Sequence, residues 1–285
     1  MDYLIYQDVE SVMELADVSA DDLANELGVS RVTVSHWMNN RNAISAKHME
    51  QFYSYVYQKG IRLNRIKEQL YREDVVSAKE KLLFHGAKTK LEGNLRTDCS
   101  KKINDFGNGF YCGESLEQSA TFVAAYESSS LYMLTFHPEG LVGKTFCCDR
   151  EWMLTIAYFR GKLEEYKDTE QVRQIAKTKE NIDYIVAPIA DNRMYEIIDS
   201  FIEGEITDVQ CQHCLSATNL GMQYVFVSEK ALSQVTLLER CYLSGPEKED
   251  YLKRRNESFR MNMDKMKLAR KQYRNQGEYI EDIMR

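Results

Sequence analysis

A chain of 285 residues with 44% hydrophobic residues builds ordinary globular cores, which excludes a disorder-dominated protein and gives enough length for two domains. Its 37 Lys and Arg against 44 Asp and Glu leave a formal net charge of −7. That balance excludes a protein that coats nucleic acid with its whole surface, because non-specific affinity comes from neutralised phosphates, while a local basic face stays open.

The first ten residues hold Asp2, Asp8 and Glu10 with no basic leader, and no later run approaches the ~20 apolar residues that span a bilayer. The expectation is a cytoplasmic protein without a membrane partner. Residues 1–60 read as short helices, with Ser19, Ser30 and Ser45 placed as N-caps and Gly28 and Gly60 where helices stop. Leu23, Ala24 and Leu27 give one helix an inner face, Gly28 permits a tight turn, and Val29, Val34 and Trp37 pack the next helix back on it. Over roughly residues 8–58 this resembles the Cro/repressor-type helix-turn-helix family. The resemblance implies DNA binding, with Arg31, Val32, Ser35 and His36 turned toward bases in a major groove and Thr33 and Asn39 near the backbone. Arg31 carries the fork that matches the paired acceptors of guanine. A homodimer on a palindromic site is implied as well. The scarcity of basic residues keeps a second reading open, in which the module docks a protein or dimerises.

From Arg62 to Lys81 a charged amphipathic stretch with Leu63, Ile66, Leu70, Val75 and Val76 predicts a linker helix. After it come short runs of β-branched and aromatic residues at 82–84, 131–136, 184–186 and 223–227, separated by helical segments. This grammar predicts an α+β domain. Beyond Gly245-Pro246 the chain reads as a charged helical tail, whose basic residues between Lys248 and Arg274 offer one local positive face. The expected division is 1–60, 61–81, 82–240 and 241–285. Seven cysteines without a leader argue for reduced thiols. Cys211-Gln-His-Cys214 lacks a second ligand pair, so no metal is expected and these cysteines read as small buried hydrophobes.

The motifs with chemistry lie in the α+β segment. Phe84-His85-Gly86 is followed by Asp105-Phe-Gly-Asn-Gly109-Phe-Tyr111 and then by Ser119-Ala-Thr-Phe122. Asp105-Phe-Gly copies a kinase tripeptide, but neither a strand lysine after a Gly-rich loop nor a His-Arg-Asp loop accompanies it. In this order the motifs resemble the ADP-ribosyltransferase superfamily, in particular its His-Tyr-Glu branch, to which the poly(ADP-ribose) polymerases belong. They resemble most closely a bacterial branch, the domain-of-unknown-function 3990 family. There the likeness extends over Glu151-Trp152 with Arg160, residues 183–191, Gln223-Tyr-Val-Phe and Glu229-Lys-Ala-Leu232, about Leu82 to Leu238 in all.

The resemblance implies a split-sheet fold that binds NAD⁺. Cleaving the nicotinamide–ribose bond develops oxocarbenium character, so such a site grips the leaving ring and holds the ribose. It implies His85 on a ribose hydroxyl, Gly86 and Ser119 on the carboxamide, Tyr111 and Phe122 sandwiching the ring, and Gly109 admitting the loop close to the ligand. Where catalytic members of the branch present a glutamate, this chain has Gln223, whose amide can accept a ribose hydroxyl but supplies no negative charge. The catalytic set implied is His85, Tyr111 and Gln223. A Gln223→Glu substitution is expected to raise turnover by restoring that charge.

Mono-ADP-ribosyl transfer to a macromolecular acceptor is the function implied, in a toxin–antitoxin, phage-defence or stress setting with an antitoxin or regulatory protein as a further partner. Two alternatives stay open: an NAD⁺-sensing transcription regulator that binds without cleaving, and an NAD⁺ glycohydrolase with water as acceptor.

Overall fold

The computed structural model describes residues 2–39, 44–98, 100–101, 103–190, 192–218 and 220–285, and all their side chains except those of residues 76–78 and 192–193. In chain order the elements are α1 (Ile5–Ala16), α2 (Ala20–Leu27), α3 (Arg31–Met38), α4 (Ala46–Gln58), α5 (Leu63–Ala78), β1 (Lys81–Ala87), β2 (Phe110–Gly113), α6 (Leu116–Val123), β3 (Ser130–Phe136), β4 (Gly143–Thr145), α7 (Arg150–Phe159), α8 (Glu170–Ala176), β5 (Tyr184–Pro188), α9 (Asn192–Ile202), α10 (Asp208–Ser216), β6 (Met222–Phe226), α11 (Glu229–Leu232), β7 (Val235–Cys241), α12 (Gly245–Gln272) and α13 (Ile280–Ile283). The architecture is mixed α and β, helical at the N-terminal end and in the tail. Among the described residues no helix is long and apolar enough to cross a membrane.

The chain forms two compact units, Met1–Glu92 with Leu116–Phe136 and Thr236–Arg254, and Gly93–Ser115 with His137–Val235 and Arg255–Arg285. In the first, α2–α4 start where the sequence places their caps. Ser19, Ser30 and Ser45 accept from the backbone N–H of Asp22, Thr33 and His48, and Gly28 closes α2 in the left-handed region. Leu23, Ala24, Leu27, Val34, Trp37 and Phe52 form the buried centre of these helices. The same unit holds strands in the order β1-β3-β7, with β1 antiparallel to β3 from Lys81↔Phe136 to Ala87↔Ser130. A second core joins Phe84, Leu116, Ala120, Leu131, Met133 and Tyr251.

A buried charge network ties the N-terminal helices to β7. Lys67 of α5 contacts Asp8 of α1 and Glu239 of β7, the Tyr53 hydroxyl donates to Asp8 at 2.5 Å, and that of Tyr71 donates to Glu239 at 3.2 Å. Tyr242 donates to Glu50 at 2.9 Å and the Gly245 N–H donates to the same carboxylate at 2.7 Å. In the first turn of α12, Glu247 is buried and accepts from Asn64 at 3.3 and 3.4 Å. Burial pushes its carboxyl from 4.5 up to about 7. A folded pKa above the unfolded one stabilises fully below about pH 4.5, and that stability is lost as pH rises through 7. Glu247→Gln is therefore expected to flatten the stability profile between those pH values, removing a loss of about 3 kcal/mol. Urea unfolding at stepped pH measures it, and parallel profiles for both proteins would refute the assignment.

In the second unit the strand order is β4-β5-β6-β2, with β4 parallel to β5 and the pairs β5–β6 and β6–β2 antiparallel. Trp152, Met153, Ile156, Ile185, Ile198, Phe201 and Val225 fill its core. The end of the tail belongs to this core as well. Ile280 and Ile283 are buried in it, Gln210 donates to the Arg270 carbonyl at 2.8 Å, the Glu278 N–H donates to Asp208 at 2.8 Å, and the His213 and Tyr273 rings stack with centroids 3.5 Å apart. The tail thus packs at both ends, with Tyr251 in the second core of the first unit and the stretch after Ala269 on the second, while its basic residues from Lys253 to Arg274 are exposed.

Candidate functional site

The site residues named from sequence fall in both units. In the first, His85 and Gly86 lie inside β1 rather than after a strand, and Ser119 and Phe122 lie on α6. His85 pairs with Tyr132 across the β1–β3 ladder. The Ser119 hydroxyl is buried and donates to the Phe84 carbonyl at 3.2 Å, which leaves its oxygen able to accept from an amide N–H. Phe122 is 63% exposed, so its ring is an open apolar surface on the helix.

Gly86 has a packing reason of its own. A Cβ added there would sit 2.6 Å from the Ser119 carbonyl oxygen and 2.8 Å from Val123 Cγ1, so the glycine lets α6 lie directly on β1. Gly86→Ala is expected to cost about 1–3 kcal/mol through overpacking against backbone, whatever ligand the strand meets. Thermal denaturation checks this, and an unchanged melting temperature would show that α6 shifts freely.

In the second unit the loop Asp105–Gly109 leads into β2. Gly107 takes a left-handed φ of 66°, and a Cβ on Gly109 would sit 2.6 Å from Val225 Cγ1, so this glycine too is demanded by packing, here against β6. Tyr111 lies on β2 opposite Val225. Its hydroxyl accepts from the Phe106 N–H at 3.1 Å and donates to the Gly107 carbonyl at 2.7 Å, while burial pushes the phenol above its ordinary pKa. Lys179 ties down the same loop by donating to the Phe106 and Asn108 carbonyls at 2.8 and 2.5 Å. The Tyr111 proton is therefore committed to backbone.

Gln223 is 6% exposed on β6, between Gly113 of β2 and Ala187 of β5. Its Nε2 donates to Asp105 Oδ2 at 3.0 Å and to the Pro188 carbonyl at 3.1 Å. Asp105 in turn accepts from Arg160 Nη2 at 2.5 Å and Nε at 3.2 Å, and from the Ala190 N–H at 3.2 Å. The Arg160 guanidinium lies 3.9 Å over the Tyr195 ring. In the sequence Asp105 stands out only as part of the kinase-like tripeptide, and Arg160 only as part of a likeness. The signal is weak there, since a lone Asp and a lone Arg 55 positions apart acquire a meaning only when buried together. Asp183 accepts from Val142 N–H at 2.9 Å and Ser228 Oγ at 2.8 Å, pinning a loop to the end of β6. Asp191, the last residue of the matched stretch 183–191, lies outside the described residues, as do the side chains of residues 192–193.

On α3, Val34 and Trp37 are buried while Arg31, Val32 and Ser35 are exposed and Thr33 and His36 half-buried. Arg31 stands 3.5 Å from Asp21, and Asn39 donates to the Ser35 carbonyl at 2.7 Å. Cys211 and Cys214 sit on α10 with sulfurs against the Ile197 and Met266 carbonyls, and burial raises both thiol pKa values. Among the described residues no group of three or more His, Cys, Asp or Glu side chains is placed to hold a metal ion.

No curated protein and no solved structure matches the chain. One family model does, over residues 82–237, which contain every NAD⁺-directed residue named above. On that match the chain belongs to the family described as protein of unknown function, DUF3990.

Proposed function

We propose that the chain is an NAD⁺-dependent mono-ADP-ribosyltransferase of the His-Tyr-Glu type acting on a macromolecular acceptor. The observation that carries this reading is the pinned amide of Gln223. With both Nε2 hydrogens committed to Asp105 and Pro188, the oxygen Oε1 is the atom left to accept a ribose hydroxyl at the strand position where the resemblance assigns that contact. Ser119 supports it with an acceptor for the carboxamide, and His85 is assigned to a ribose hydroxyl. Transfer breaks the C–N bond between ribose and nicotinamide, with the electron pair leaving on the ring nitrogen. The acceptor's nucleophilic atom then bonds the ribose carbon and gives up its proton. Incubating the full-length protein with labelled NAD⁺ and cell lysate tests this. Label on protein or nucleic acid is expected, and free ADP-ribose as the sole product would turn the reading to a glycohydrolase.

A non-catalytic NAD⁺-responsive DNA-binding regulator is the second reading, favoured by one observation. The Asp8–Lys67–Glu239 network fastens α1 and α5 to β7, within the unit whose β1 carries His85 and Gly86. On this reading α3 acts as the recognition helix of a helix-turn-helix, and NAD⁺ changes the affinity of the full chain for DNA. A gel-shift titration with and without NAD⁺ decides it, since the transferase reading expects no such change.

A further inference from the structure

We infer that Asp105, locked by Arg160, is a positioning residue that fixes which way the Gln223 amide faces, and that this pairing is the reason position 223 carries glutamine rather than glutamate. The orientation follows from donors and acceptors. Asp105 is engaged by Arg160 on Oδ1 and by Ala190 N–H on Oδ2, so what it presents to β6 is an acceptor. The Pro188 carbonyl is a second acceptor on the same side. Only a donor satisfies both, which turns Nε2 inward and leaves Oε1 accepting nothing among the described residues.

Charge gives the rest. Asp105 and Arg160 are both largely buried, and together they are neutral. A glutamine beside them keeps the cluster neutral. A glutamate would put a second carboxylate about 3 Å from the first, facing a carbonyl as well, with one guanidinium to serve both. The other titratable groups nearby among the described residues are the phenols Tyr111, bonded to loop backbone, and Tyr195, under the guanidinium, together with Lys179, whose ammonium is committed to the Phe106 and Asn108 carbonyls, and Lys162, which is paired with Asp199 beside the Tyr195 ring. Both lysines have partners of their own, so Arg160 is the cation that meets Asp105. The sequence-based expectation that Gln223→Glu raises turnover is thereby reversed, because in this chain the acidic group of the cluster already stands at 105.

The site so built offers a neutral acceptor to a hydroxyl, held by the protein before any ligand arrives. The statement that this hydroxyl belongs to the ribose of NAD⁺ rests on the function proposed above. The orientation itself does not.

The test uses the full chain as wild type, Gln223→Glu, Asp105→Asn and the double variant, each melted at pH 5 and pH 8. Gln223→Glu is expected to melt at least about 5 °C below wild type at pH 8, with the gap narrowing at pH 5 as the added carboxyl takes a proton. The double variant, which moves the charge across the pair and restores a donor facing an acceptor, is expected to regain half or more of that loss. A Gln223→Glu protein as stable as wild type at pH 8, or a double variant no better than the weaker single one, overturns the inference. If Gln223→Glu does not fold at pH 8, the double variant's folding there decides in the same way. Calorimetric titration with NAD⁺ adds a readout that packing alone would not move. Asp105→Asn is expected to weaken NAD⁺ at least about tenfold because its amide competes with that of Gln223, and the double variant to recover binding through the outward oxygen of its glutamate. Wild type that binds no NAD⁺ overturns the ribose assignment, and the melting series still decides the orientation.

Discussion

Replacing Lys67 with methionine is expected to cost about 3–5 kcal/mol, the largest loss foreseen for a single side chain in the first unit. Lys67 is the cation between two carboxylates that are each 3% exposed, Asp8 and Glu239. Methionine fills much of the volume of the lysine stem but leaves both acids in the interior with the phenol donors of Tyr53 and Tyr71 and no cation in place of Lys67 among the described residues. Uncompensated buried charge is among the few mechanisms that produce effects this large. Lys67→Arg keeps the charge and is expected to lose less than half as much. Urea unfolding followed by circular dichroism compares the three proteins, and a loss below about 1 kcal/mol for methionine would show that the network is not what fastens α1 to β7. Because the network joins elements far apart in sequence, the N-terminal helices are best tested within the whole chain.

On the proposed transferase reading, Gln223→Ala is expected to slow single-turnover release of nicotinamide by about 100-fold or more, the scale seen when one preorganised hydrogen-bonding group is removed from a transition state. The group removed is the oxygen that Asp105 and Pro188 hold in place, while Gly86 and Ser119 are untouched, so a nicotinamide-mimicking inhibitor should still raise the melting temperature. The two readouts separate a role in turnover from a role in folding. Equal release rates in wild type and variant, with both folded, would remove Gln223 from the chemistry.

The strand assignments show where sequence grammar suffices. β3 is buried over its whole length, and its run of apolar residues announces it. β2 and β4 are four and three residues long, and β7 carries Glu239 and Arg240 within it, so neither an apolar run nor an alternation marks them. The glycines show the converse. Gly86 and Gly109 are legible as positions that tolerate no side chain, yet what would collide is α6 in one case and β6 in the other, and neither is visible from the neighbouring residues.

Legible in the order of residues alone are the features whose partners lie within one helical turn. Ser19, Ser30 and Ser45 each cap a backbone N–H three residues ahead, and Gly28 takes its left-handed conformation for want of a Cβ, so spacing alone encodes them. The order of motifs from His85 to Gln223 is legible in the same way. What each buried polar group meets emerges only in the folded chain: Asp105 for Gln223 across 118 positions, Glu239 for Lys67 across 172, and the Asp208 end of α10 for Glu278 in the tail. A buried donor or charge must find its complement or lose stability, but the chain topology chooses which complement arrives, and that choice is written in no local pattern.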